Sequence, residues 1–98
     1  MVRKDLNEEW SRLSGPWIEE ARRGRNPTRE GLLDGPMLAA CGDVTGSRVI
    51  DLGCGEGRFC RLLVRRGATR VLGVDLCGEM IQAAGELQTG PDQYMLAD

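Results

Sequence analysis

Along the first third of the chain, apolar residues recur at helical spacing; from Arg48 onward they gather into short runs separated by helical stretches. Leu6, Trp10 and Leu13 lie four and three residues apart, with acids early in the segment, which predicts a helix over 5–13. Gly15-Pro16 interrupts the pattern, and Pro16 is suited to open a second short helix over 16–23, ending near Gly24. Asn26-Pro27 marks residues 24–31 as a turn or loop. A further short helix is expected over 34–41, with Asp34 as its cap, followed by a connector bracketed by Gly42 and Gly46.

The second half is more regular. "RVIDL" (48–52) is short, apolar and rich in β-branched residues, and reads as a buried strand. Residues 57–67 read as a helix with Phe59, Leu62 and Leu63 on one face and Arg58, Arg61 and Arg65 on the other. "RVLGVD" (70–75) is a second strand, 77–87 a second helix containing Met80, Ile81 and Ala84, and "QTGPD" a turn into a third strand, "QYMLAD". Strand and helix alternating with short links predict an α/β fold, a parallel sheet built from right-handed crossovers.

Composition narrows the function classes. A net charge of −2, with twelve of thirteen basic residues being scattered arginines, disfavours a nucleic-acid-binding domain held by bulk electrostatics. The longest purely apolar run, Met37 to Cys41, is five residues, too short for a membrane span, and the N-terminus lacks the apolar core of an export signal. A cytoplasmic location is therefore expected, with the cysteines reduced. Cys41, Cys54, Cys60 and Cys77 form no CxxC pair and the chain has no histidine, so no metal site is expected and the cysteines read as small buried residues. Trp10 and Trp17 likewise read as packing residues. The lack of histidine also removes the commonest general base.

The stretch "VIDLGCGEGRF" (49–59) carries the candidate chemistry. A strand feeding a glycine-rich turn into a helix gathers backbone N–H groups and a helix N-terminus at one spot, and glycines there let a small molecule approach the main chain. Asp75 closes the second strand, 18 residues after Gly57, where a carboxylate can accept from both hydroxyls of a ribose. Asp51, Asp75 and Asp98 end three successive strands and are expected to line one crevice. Alternatively, Asp51 caps the glycine turn and Asp75 caps the second helix. A nicotinamide dinucleotide site is a poorer match: the spacing is GxGxG with Arg58 in the sixth position, and Asp51 would repel a pyrophosphate. An adenosine bearing an amino-acid tail suits these charges better.

"VIDLGCGEGRF", "VLGVDLCGEMI" and "YMLAD", in this order and spacing, resemble the motifs of class I S-adenosylmethionine-dependent methyltransferases over about Gly46 to Asp98. The resemblance implies an N-terminal, cofactor-binding half: a helical segment over 1–45 that packs on or covers the cofactor, and a partial Rossmann-like domain over 46–98, cut off after the third strand. It implies S-adenosyl-L-methionine as cofactor and S-adenosyl-L-homocysteine as product. Gly53, Gly55 and Gly57 would pack against the methionine part, with Asp51 acting on its amino group directly or through water. Asp75 would hold the ribose, Leu76 and Met80 would flank the adenine, and Ala97 and Asp98 would meet its edge. Arg29, in the N-terminal segment, is the candidate partner of the cofactor carboxylate. Cys77 replaces a serine frequent in the family. The acceptor is expected to be a small molecule, and no general base is nominated. A non-catalytic cofactor-binding or protein-contact subunit needing a partner chain is the alternative. Self-association through the unpaired edge of the first strand is also expected.

Overall fold

Two runs dominated by β-branched and aliphatic residues, each entered through a turn, set the frame. A computed structural model describes residues 2–23 and 32–97; Arg29 and Asp98 therefore lie outside the described residues. In chain order the elements are α1 (Val2–Arg23), α2 (Asp34–Cys41), β1 (Arg48–Leu52), α3 (Arg58–Arg65), β2 (Arg70–Asp75), α4 (Gly78–Glu86) and β3 (Asp92–Leu96). The strands pair in parallel in the order β1-β2-β3. Arg48 pairs with Arg70 and Leu52 with Val74; Val71 pairs with Asp92 and Asp75 with Leu96.

Successive right-handed crossovers running in one direction place α3 and α4 on the same face of the sheet. The core lies between them: Cys60, Leu63, Val71, Met80 and Ala84 are all at most 2% exposed. In α3 the buried residues are Cys60 and Leu63, not the trio of Phe59, Leu62 and Leu63, so the helix is turned slightly from its expected face. β1 is not the buried strand its composition suggests. It is an edge strand of the described sheet, and Ile50 and Leu52 are 65% and 78% exposed. Cys41 is likewise exposed, while the other three cysteines are buried.

The N-terminal segment departs most from expectation. Where two helices separated at Gly15-Pro16 were predicted, α1 runs unbroken through Pro16. An interior proline lacks an N–H and crowds the carbonyl four residues back, at a cost of about 3 kcal/mol. Contacts on both sides of Pro16 offset that cost. Trp10 and Trp17 straddle it and meet edge-to-face, with ring centroids 5.7 Å apart. Before the proline, Ser11 Oγ donates to Glu79 Oε2 (3.0 Å); after it, Arg22 donates to the Ala83 carbonyl and to Glu86 Oε1. Tertiary packing against α4 overrides the local break.

Asp34 does not cap α2 as expected. Leu33 occupies the cap position without a side-chain hydrogen bond, and the Asp34 carboxylate pairs instead with both terminal nitrogens of Arg58. A charge-assisted bidentate pair outweighs a single bond to a backbone N–H.

Asp92 is fully buried at the start of β3. Its Oδ1 accepts from the Thr89 N–H and hydroxyl and from the Gly90 N–H, and its Oδ2 accepts from Tyr94 Oη at 2.7 Å. Burial opposes its charge, but the hydrogen bonds from Thr89 and Tyr94 prevail and hold the carboxyl below the usual range. The tyrosine so anchored lies across β2. A Cβ built on Gly73 would stand 2.7 Å from the Tyr94 ring and 2.8 Å from Cys54 Sγ, and one on Gly57 would stand 2.6 Å from Tyr94 Oη. Replacing Gly73 by alanine is therefore expected to cost about 1–3 kcal/mol by overpacking. Urea unfolding of Gly73→Ala would measure this loss; an unchanged midpoint would contradict the packing described.

Candidate functional site

The turn between β1 and α3 folds as it does because Gly53, Gly55 and Gly57 all take positive φ, at 77°, 58° and 88°. Side chains rarely adopt that region, so glycine is the residue that lets the turn close. Its hydrogen bonding differs from the expected cradle of donors. The Gly53 and Cys54 N–H groups both donate to the Val74 carbonyl (2.7 and 3.0 Å). The Gly57 N–H donates to the Cys54 carbonyl, and the Gly55 N–H to Asp75 Oδ2 at 2.9 Å. All four donors are satisfied inside the protein. A pyrophosphate needs free N–H groups at this point, and the loop does not supply these four.

Asp75 has two tasks. Its second oxygen, Oδ1, accepts from the Cys77 N–H at 2.9 Å, at the entry to α4, and its own carbonyl accepts from the Ala97 N–H. The alternative of Asp75 as the N-cap of α4 is not met, because Cys77 holds the cap position; the Asp75 carboxylate instead ties the Cys77 N–H to the glycine loop. A carboxylate has about four lone-pair sites, so two engagements leave acceptor capacity toward the cleft.

That cleft, of about 480 Å³, is lined by Gly53, Gly55, Asp75, Leu76, Met80 and Ala97, and by Trp10 and Trp17 of α1. Six of the residues singled out from the sequence meet there. Gly57 does not; it is buried beneath Tyr94 and shapes the turn from behind. Asp51 lines a neighbouring cleft of about 230 Å³ with Glu56, Arg58 and Met37, which shares Gly53 and Cys54 with the larger one. Asp51 and Asp75 thus line two adjoining compartments instead of a single crevice.

Two features went unforeseen. Trp10 and Trp17 were expected to be packing residues, and they do touch one another, yet both face the larger cleft and are 37% and 36% exposed. Leu6, Trp10, Leu13 and Trp17 repeat at intervals of four, three and four, the one sequence sign that α1 has a continuous apolar stripe. The other is an ion pair beside the loop. Arg61 donates to the Glu56 carbonyl at 2.8 Å and to its Oε2 at 2.6 Å, with Glu56 only 1% exposed. Glu56 Oε1 has no hydrogen-bond partner among the described residues. Glu56 lies in the turn and Arg61 in α3, five residues on, a spacing that gives no periodic signal for such a pair.

The charge of the site is negative at the loop. Burial pushes the Asp51 carboxyl above its usual range; the hydrogen bond from Cys60 Sγ (3.3 Å) counters this only in part, and the Asp75 charge adds to the rise. A cationic or hydrogen-bond-donating ligand would relieve that cost, and an anionic one would add to it. Among the described residues no group of ligating side chains could hold a metal ion, and no helix is long and apolar enough to cross a membrane.

Comparison with known proteins finds methyltransferases. Residues 49–95 match a family model described as a methyltransferase domain. The ubiquinone biosynthesis O-methyltransferase of Neisseria meningitidis is 31% identical over 80 residues, which cover 76% of this chain and 32% of that enzyme. The chain therefore spans about a third of the length of that relative. The crystal structure of an S-adenosylmethionine-dependent methyltransferase from Mesorhizobium loti is 42% identical with a TM-score of 0.59, over 64% of this chain and 30% of that one. Phosphoethanolamine N-methyltransferase 1 of Haemonchus contortus shares the fold over 97% of this chain and 20% of its own, with a TM-score of 0.71 at 24% identity. The N-terminal helices are thus part of the shared fold.

The raised pKa of Asp51 carries a stability consequence. A carboxyl whose folded pKa lies above the unfolded value costs stability once pH rises through the folded pKa, and the cost disappears below the unfolded one. Asp51→Asn is expected to raise the thermal midpoint of the ligand-free chain at pH 7, with the gain shrinking as pH falls into the carboxylate range. Melting curves across that range would reveal a pH-independent difference if the assignment were wrong.

Proposed function

We propose a function from one premise: the chain belongs to the class I S-adenosylmethionine-dependent methyltransferases. It binds S-adenosylmethionine across the two adjoining clefts and holds it for methyl transfer to a small-molecule acceptor. The observation that carries this reading is the meeting of Gly53, Gly55, Asp75, Leu76, Met80 and Ala97 around one cleft of about 480 Å³. Residues 46–98 act as the binding domain, and the helical segment over 1–45 covers it.

The donor set fits the cofactor. Internally bonded loop N–H groups and nearby carboxylates suit a ligand that brings an ammonium and ribose hydroxyls as donors. The remaining acceptor capacity of Asp75 serves the ribose hydroxyls, Leu76 and Met80 flank the adenine, and Ala97 with Asp98 meets its edge. Asp51, in the smaller compartment, faces the ammonium of the amino-acid tail, and Arg29 its carboxylate. The cofactor supplies an electrophilic methyl on a sulfonium. The chain's own contribution is orientation: the glycine turn and the Asp75 tie hold the ligand so that an acceptor can approach in line.

The deciding experiment is calorimetric titration of the chain with S-adenosylhomocysteine, with Asp75→Ala alongside and circular dichroism confirming that both are folded. Micromolar binding weakened at least tenfold by the substitution, about 1.4 kcal/mol, supports the reading; a folded wild-type chain that does not bind overturns it. Self-association through β1 is a separate proposal, supported by its position at the sheet edge and the exposure of Ile50 and Leu52. Sedimentation should then give a mass that grows with concentration, whereas a monomer at every concentration would refute it.

A further inference from the structure

The two tryptophans are the chain's full complement of that residue, and both line the same cleft. Their helix is fastened to α4 on either side of Pro16, through Ser11 to Glu79 and through Arg22 to Ala83 and Glu86. The rings meet at 87°, so their planes stand at right angles beside the cleft. Each keeps about a third of its surface open, at 37% and 36%. Among the described residues no lysine or arginine lines this cleft, and its one carboxylate is that of Asp75.

A sulfonium is a permanent cation with no N–H or O–H to donate. Hydrogen-bond acceptors recognise it poorly, whereas the electron-rich face of an aromatic ring, tryptophan best of all, attracts such a charge. Building on the cofactor reading above, we infer that Trp10 and Trp17 form an aromatic wall that prefers the charged, methyl-bearing cofactor to its neutral thioether product. The two ligands share adenine, ribose, ammonium and carboxylate and differ only in the sulfonium and its methyl. Contacts from Leu76 and Met80 act on both alike, and Asp75 attracts the charge through space; the two rings add a short-range attraction to it that needs no hydrogen bond. The same preference favours departure of the product once the charge has gone.

Calorimetry with S-adenosylmethionine and with S-adenosylhomocysteine tests this directly, paired with the chain's intrinsic tryptophan fluorescence. Both ligands should change the emission. Trp10→Leu or Trp17→Leu should weaken S-adenosylmethionine about three- to tenfold while altering S-adenosylhomocysteine less than twofold, and Trp→Phe at the same position should recover most of the loss. Retained product binding shows that the variants are folded. Equal weakening of both ligands would reduce the tryptophans to packing residues and overturn the inference, as would binding without any change in emission. If the wild-type chain binds neither ligand, the cofactor reading itself fails, a result distinct from either.

Discussion

The carboxylate of Asp75 is the constraint on which the site depends. One oxygen holds the Gly55 N–H and the other the Cys77 N–H, so a single side chain at the end of β2 fixes both the turn leaving β1 and the entry to α4. Backbone polar groups in a buried turn must find partners, and here one anion serves two of them. The walls of the larger cleft follow from that tie: Gly53 and Gly55 on one side, Leu76 and Met80 on the other. The residue argued to hold the ligand is therefore also the residue that makes the place where the ligand sits.

Charge then separates this site from others built on a similar plan. A strand, a glycine turn and a helix can equally make an anion site, provided the turn leaves its N–H groups open. Here the Gly53 and Cys54 donors are turned back to Val74, and an Asp51 destabilised by burial stands beside the loop. The same backbone plan, with these donors occupied, suits a cationic tail better than a phosphate. Beside the turn, the buried pair of Glu56 and Arg61 holds the loop, with Glu56 on the wall of the smaller cleft; removing one member of such a pair leaves an uncompensated charge, at about 3–5 kcal/mol.

Much of the sheet was legible because period and composition agree there. β1 and β2 have the predicted bounds, whereas β3 begins one residue early, at Asp92, and ends at Leu96, short of Ala97. Strand-turn-helix order brought Gly53, Gly55 and Asp75 together, and the family resemblance added Leu76, Met80 and Ala97. What escaped was governed by partners distant in sequence. The continuity of α1 through Pro16 rests on contacts more than sixty residues away, with Glu79, Ala83 and Glu86. Asp34 prefers Arg58, 24 residues on, to its own helix terminus. The role of Trp10 and Trp17 followed from the same cause, since a stripe reads identically whether it faces a core or a cleft.

Tyr94, Gly73 and Gly57 draw the fold and the site together in another way. The phenol ring fills the space that side chains at the two glycines would need, and its hydroxyl is held by Asp92. Three positions on three different segments thus share one volume, and none can grow unless another shrinks. Drift at these sites should be correlated across descendants of this chain: a larger residue at 73 or 57 is admissible only in a lineage where 94 has already lost its ring. The shape of the glycine loop is in this sense inherited together with a tyrosine at the far edge of the sheet.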